Sequence, residues 1–215
     1  MKQVPFFANT ADDTHCVQAS FRIMLKYFMP EREFSYDQLD KMSRKEPGKG
    51  TWWPPMLIEM QKLGFRVRNI EAFDYQKYYE RGDSYLKDVY RPETVEYYLN
   101  HSNLSEIKPL IPNFLKKVVV EARPATFEDL DELLANGWLV GIDLNSAVLN
   151  ELDRNDYVGH MVVVFDKDEH NYWLHDPGLK PHQNRQINHQ KLADAWSWSG
   201  PGTTALVAVK LNENS

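Results

Sequence analysis

Cys16 is the only cysteine among 215 residues, and it heads a stretch with helical periodicity. A sulfur nucleophile needs a lowered pKa, which a helix N-terminus or a cation supplies, a base to take its proton, and a group to orient that base. Far downstream, His160 and Asp176 fall on two runs that read as one hairpin. Alternation along Tyr157–Phe165 puts His160, Val162 and Val164 on one face and Met161, Val163 and Phe165 on the other. A hairpin symmetric about Asp168 pairs Val164 with Tyr172, Val162 with Leu174, and His160 with Asp176, close enough for an imidazole–carboxylate hydrogen bond. A slip of one residue sends either group to the opposite face. In the paired register Asp176 holds one ring nitrogen and leaves the other to the thiol. That is the arrangement for thiolate attack on an acyl carbon, with His160 returning the proton to the leaving amine. Asp12 and Asp13, just upstream, work against a thiolate through like charge.

The elements that must carry these residues follow from pattern and caps. Thr14 or Asp13 is expected to cap a helix running to about Phe28, with Val17, Phe21, Met24 and Phe28 on its buried face and Pro30 beyond its end. Ser35 and Gln38 make a capping box for a helix to about Ser43. Pro54 and Pro55 open a third helix closed by Gly64, and Phe65–Ile70 reads as a strand. Seven of the eleven tyrosines lie between Phe73 and Asn100. This region reads as a mostly helical insertion, residues 73–112, whose rings pack onto the rest of the chain. Lys117–Ala122 is a strand. Thr126 with Asp129 caps a helix ending at Asn136-Gly137. Trp138–Leu144 is a strand covered on both faces. A short helix near Lys191–Ala195 precedes a last strand, Thr204–Leu211. Helices first and a mainly antiparallel sheet afterwards define an α+β fold in a single domain.

Bulk properties remove several function classes. A net charge of −6 and an isoelectric point near 5.7 speak against nucleic-acid or anionic-membrane partners. No apolar run reaches membrane length, and no apolar segment of signal-peptide type follows Met1-Lys2-Gln3-Val4-Pro5. With one thiol there is no intrachain disulfide, so a cytoplasmic location is expected. His175, His182 and His189 recur every seven residues, but Pro177-Gly178 and Pro181 break any helix that would align them. Neither a metal nor another cofactor is expected. The pairs Trp52-Trp53 and Trp196/Trp198 are read as core filling or the rim of a cleft.

Several segments share one resemblance. They are Val4-Pro5-Phe6-Phe7 before Cys16-Val17-Gln18-Ala19-Ser20, Gly50-Thr51-Trp52-Trp53 leading to Leu63-Gly64-Phe65, and Trp138–Asp143. With them go Gly159-His160-Met161-Val162-Val163-Val164 and Tyr172-Trp173-Leu174-His175-Asp176-Pro177-Gly178. Together these segments resemble the double-glycine leader peptidases, the bacteriocin-processing branch of the papain-like cysteine peptidases. The likeness covers most of the chain and leaves Phe73–Pro112 unmatched. It implies a papain-like fold, a peptide or amide substrate, Cys16 as nucleophile, His160 as base and then acid, and Asp176 as its orienter. The family's glutamine six positions before the cysteine is Thr10 here, and the neighbouring Asn9 is the candidate oxyanion donor beside the Cys16 backbone N–H. Val17 stands where the family tends to have glycine. Three other readings fit the same residues. They are an acyl transferase using the same three groups, a peptide-binding module without catalysis, and an assembly protein that associates through its tyrosine-rich insertion.

Overall fold

Along the chain come helices α1 (Cys16–Phe28), α2 (Tyr36–Ser43) and α3 (Pro54–Lys62), then strand β1 (Phe65–Glu71). Helices α4 (Tyr75–Arg81), α5 (Asp83–Val89), α6 (Pro92–His101) and α7 (Leu104–Ile107) follow, and a 3-10 turn leads into α8 (Ile111–Lys117). Strand β2 (Val119–Ala122), α9 (Phe127–Ala135), β3 (Leu139–Asn145) and α10 (Ser146–Leu149) come next. The chain then forms β4 (Gly159–Lys167), β5 (Asn171–Asp176), β6 (His182–Asn188), α11 (His189–Trp196) and β7 (Ala205–Leu211). This computed structural model describes residues 2–152, 158–178, 180–197 and 203–212, so Tyr157 and Trp198 lie outside it. Among the described residues the strands make one sheet in the order β2-β1-β7-β3-β4-β5-β6. Every neighbouring pair is antiparallel except β1 with β2. The architecture is mixed α+β.

The sheet separates two apolar layers. Val17, Phe21 and Met24 of α1 and the buried side of α3 pack with Phe65, Val67, Met161, Val163 and Phe165 on one face. Leu130 and Leu133 of α9, and Leu192 and Trp196 of α11, pack with Val140, Ile142, Val162, Val164 and Leu174 on the other. Alternation along each strand divides the side chains between the layers. Gly141 lets α1 approach closely: a Cβ there would stand 2.2 Å from the Met161 Cε and 3.1 Å from both Met24 Cε and Val207 Cγ2. A larger residue at 141 would force the Met161 side chain, and with it the packing against Met24 and Val207, to rearrange.

Both expected capping boxes form, Ser35 with Gln38 and Thr126 with Asp129. The expected cap of α1 does not. His15 occupies the N-cap position, and no side chain caps the first turn. Thr14 instead turns its hydroxyl to Asp12, and Asp13, at φ 56°, accepts from the Asn9 amide. The first-turn N–H groups of α1, which a capping oxygen usually takes, thus have no side-chain cap.

Other boundaries shift for local reasons. The strand expected from Lys117 begins at Val119, because Lys116 and Lys117 form the last turn of α8. Strand β6 was not foreseen: its residues are mostly exposed and polar, so no alternation marks them. Within residues 73–112 the tyrosines do more than cover a surface. Tyr75, Tyr78 and Tyr85 are buried, and their rings meet Phe73 edge-on at centroid distances of 4.8, 5.4 and 5.4 Å. Glu71 lies beneath them and takes hydrogen bonds from Trp53, Asn69 and Tyr75 on a single carboxylate oxygen. Burial raises its pKa.

Candidate active site

Cys16 is the first residue of α1 and half-buried. Ser20, one turn later, is buried and donates its hydroxyl to the Met161 carbonyl at 3.2 Å, which fixes the start of α1 against β4. A second tie comes from the N-terminal segment. The Asn9 N–H donates to the Pro177 carbonyl at 2.7 Å, and Nε2 of His175 donates to the Val4 carbonyl at 3.0 Å. The segment leading to the cysteine is therefore bonded to the strand and turn that carry the acid.

His160 and Asp176 meet, but by a different register from the symmetric one. Near the turn Lys167 pairs with Tyr172 and Asp166 with Trp173; a bulge at Phe165 then sets Val164 opposite Leu174 and Val163 opposite His175. Continued outward, this places Asp176 across from Val162, diagonal to His160 instead of directly opposed. The bulge decides the outcome. Without its extra residue Asp176 would fall opposite Val163, on the face His160 does not share. With it the two side chains share a face, and the His160 Nε2 to Asp176 Oδ1 distance is 2.7 Å.

That bond takes Nε2 and leaves Nδ1 without it, and Cys16 lies within electrostatic range of the ring. Strand alternation turns His160 away from the face that α1 covers, so the contact rests on position. Cys16 is the first residue of its helix and His160 the second of its strand, and they meet at the end of the sheet. Burial disfavours the charged ring, but hydrogen bonds to Asp176 and Cys16 and the charges of both outweigh it and lift His160 to about 10. Asp176 is 1% exposed. Burial pushes its carboxyl up, yet His160, the Gly178 N–H and Arg185 together hold it below the ordinary value. Gly178 also lies close to the pair: a Cβ there would stand 3.1 Å from Asp176 Oδ1 and 3.3 Å from the His160 ring, so both would have to give by a few tenths of an ångström.

Asn9 lies beside α1, engaged in the loop. Its Oδ1 accepts the N–H groups of Thr10 and His15, both at 2.8 Å, and its Nδ2 donates to Asp13 at 2.7 Å. Two backbone donors on one oxygen fix the orientation of the amide and direct its nitrogen to Asp13. Thr10, six positions before Cys16, is bonded to His15 Nδ1 and Asp12. Hydrogen bonds from Thr10 and Thr14 and the nearby His15 hold the exposed Asp12 carboxyl down to about 2.

Sequence reasoning missed three neighbours. His15 adjoins the sulfur in sequence, and Nε2 of its ring lies 3.2 Å from Asp40. Lys45, half-buried, interacts electrostatically with Asp40, Asp12 and Cys16, and burial lowers its pKa. Arg185 reaches Asp176 Oδ2 at 2.9 Å from β6, a strand the pattern did not reveal. Two of the three regularly spaced histidines have separate tasks: His175 bonds the N-terminal segment, and the His189 ring packs on Phe127 at 4.1 Å. His182 is exposed on β6. Among the described residues no helix is long and apolar enough to cross a membrane.

No family profile matches this chain, and no curated protein does. Among solved structures it is similar to a Bacillus anthracis protein provisionally described as a C39-like peptidase. The identity is 20%, the match covers 48% of this chain and 56% of that one, and the TM-score is 0.35.

Proposed function

We propose that this chain is a papain-like thiol hydrolase that cleaves peptide or amide bonds, a single domain with a helical insertion at residues 73–112, acting in the cytoplasm. Cys16 is the nucleophile, His160 the base and then the acid, and Asp176 the group that orients the ring. One observation carries the reading: a buried imidazole bonded through Nε2 to a carboxylate and within electrostatic range of a thiol that begins a helix. The α1 dipole favours the thiolate, which attacks the acyl carbon. The imidazolium gives its proton to the leaving amine, and water or another amine then resolves the thioester.

Because Cys16 is the sole thiol, its labelling by iodoacetamide across pH reads the sulfur directly. The reading requires thiolate to form well below the free-cysteine value of about 8.5, and to lose that advantage in His160→Ala. Labelling near 8.5 in both proteins refutes it. A second reading, a peptide-binding module without turnover, draws on the engagement of Asn9 and Thr10 in the loop, which commits the side chains nearest the oxyanion position to other bonds. Loss of one oxyanion donor costs about 100- to 1,000-fold in rate. Tight peptide binding with no cleavage, in a protein whose thiol titrates low, selects that reading.

A further inference from the structure

Both oxygens of Asp176 are occupied. Oδ1 accepts from His160 Nε2 at 2.7 Å and from the Gly178 N–H at 3.0 Å, and Oδ2 accepts from Arg185 Nη1 at 2.9 Å. Arg185 is itself held, with Nη1 on Asn150 Oδ1 at 2.7 Å and Nη2 on the Leu149 carbonyl. Its side chain is 12% exposed and that of Asp176 2%. A guanidinium in so little water costs energy unless its donors and charge are met, and here the charge and three of the five N–H donors are.

We propose that Arg185 is a positioning residue of this site: it fixes the Asp176 carboxylate and supplies the charge that balances the site when the sulfur ionises. The balance is a simple count. With the proton on His160 the site holds a thiolate, an imidazolium and a carboxylate, one net negative charge in a buried setting. The guanidinium brings the sum to zero. The other charged or titratable groups around it are Lys45, from the loop after α2, within electrostatic range of Cys16, Asp12 and Asp40; His15, paired with Asp12 and Asp40; and Glu151, beyond α10, within range of Arg185. His182 pairs with Asp176 through the backbone and keeps its side chain exposed. Of these groups, only His160 and Arg185 touch the carboxylate among the described residues.

The inference rests on the thiol-hydrolase reading, and the experiment separates the two. Iodoacetamide labelling of Cys16 against pH is measured in the wild type and in Arg185→Met, Arg185→Lys and Asn150→Ala, with circular dichroism on each. Arg185→Met is expected to move the acid limb upward by about one pH unit, because a cation beside the carboxylate is lost. Arg185→Lys, which keeps the charge, recovers most of that shift, and Asn150→Ala, which removes one tie on the guanidinium, gives an upward shift smaller than that of Arg185→Met. Should Arg185→Met not fold, Asp176→Asn/Arg185→Met removes both buried partners; in that background the arginine substitution no longer slows labelling, because the amide carbonyl is freed for His160. A limb that depends on His160 and ignores Arg185→Met overturns the role given to Arg185 alone. So does further slowing by the arginine substitution in the Asp176→Asn background. A limb at the free-thiol value that ignores His160→Ala overturns both readings.

Discussion

Replacing Asp176 with Asn keeps the shape of the side chain and removes its charge, so the geometry around it determines the result. The amide has one acceptor and one donor group for surroundings that all donate: His160 Nε2 and the Gly178 N–H on one side, Arg185 Nη1 on the other. Arg185 cannot give up its proton, and an unmet hydrogen bond from a charged donor costs about twice a neutral one. The amide oxygen therefore turns to Arg185 and its NH2 to His160. The ring must then accept at Nε2 and carry its proton on Nδ1, the nitrogen that the proposed chemistry leaves to take the thiol proton. A carboxylate this close favours an imidazolium by 1–3 pKa units or so, and its loss should cut labelling of Cys16 at pH 7 about tenfold or more. Stability falls as well. Removing one partner of a buried pair costs roughly 3–5 kcal/mol, and Arg185 keeps Asn150 and Leu149, which puts the expected loss near 3 kcal/mol. Urea unfolding at pH 7 reads the second quantity and iodoacetamide the first. Stability within about 1 kcal/mol of the wild type, with labelling unchanged, refutes the argument.

Gly178→Ala places a methyl 3.1 Å from Asp176 Oδ1 and should depress labelling at pH 7 while far-UV circular dichroism stays native. Gly141→Ala drives a Cβ into the Met161, Met24 and Val207 side chains and should cost about 1–3 kcal/mol in urea unfolding; no loss would mean that α1 does not depend on the missing Cβ. His160, raised from 6.5 to about 10, adds stability that is complete below pH 6.5 and lost as pH rises through 10. Thermal melts of the wild type should show that alkaline decline and His160→Gln should lack it. Burial lowers the pKa of His175, so its contribution has the opposite sign, present above pH 6.5 and lost as pH falls below it. His175→Gln should flatten the acid decline.

What the sequence disclosed, it disclosed through local chemistry. Ser35 with Gln38 and Thr126 with Asp129 name their helices because each box is closed within four residues. The apolar run from Leu139 reads as a strand because both of its faces are covered. The start of α1 was misread for a reason of the same kind. Thr14 and Asp13 are good caps by type, but Asp12 and Asn9 compete for them, and residue type does not reveal that competition. Arg185 was hidden because an exposed, polar edge strand carries no periodic signal, and its value depends on which strand lies beside Asp176.

The His160–Asp176 pair shows how close a correct juxtaposition can come to failing. Symmetry about Asp168 puts the two side chains on one face, and so does the observed arrangement, but for a different reason. The turn pairs Lys167 with Tyr172, a register that would separate the two groups by face, and one unpaired residue at Phe165 reverses the parity before Val164 reaches Leu174. Nothing in Val164-Phe165-Asp166 announces a bulge, since Phe165 is fully buried and packs against the His175 ring at 4.6 Å like any core aromatic. The His175 ring gives the bulge a partner: it lies between Phe165 and Phe6, with its two nitrogens on the Val4 carbonyl and the Asn184 N–H. The residue that sets the parity of the hairpin is thus packed against the histidine that docks the segment leading to Cys16. Cys16, His160 and Asp176 share one packed cluster behind them, and a substitution that loosens Phe165 should disturb all three at once.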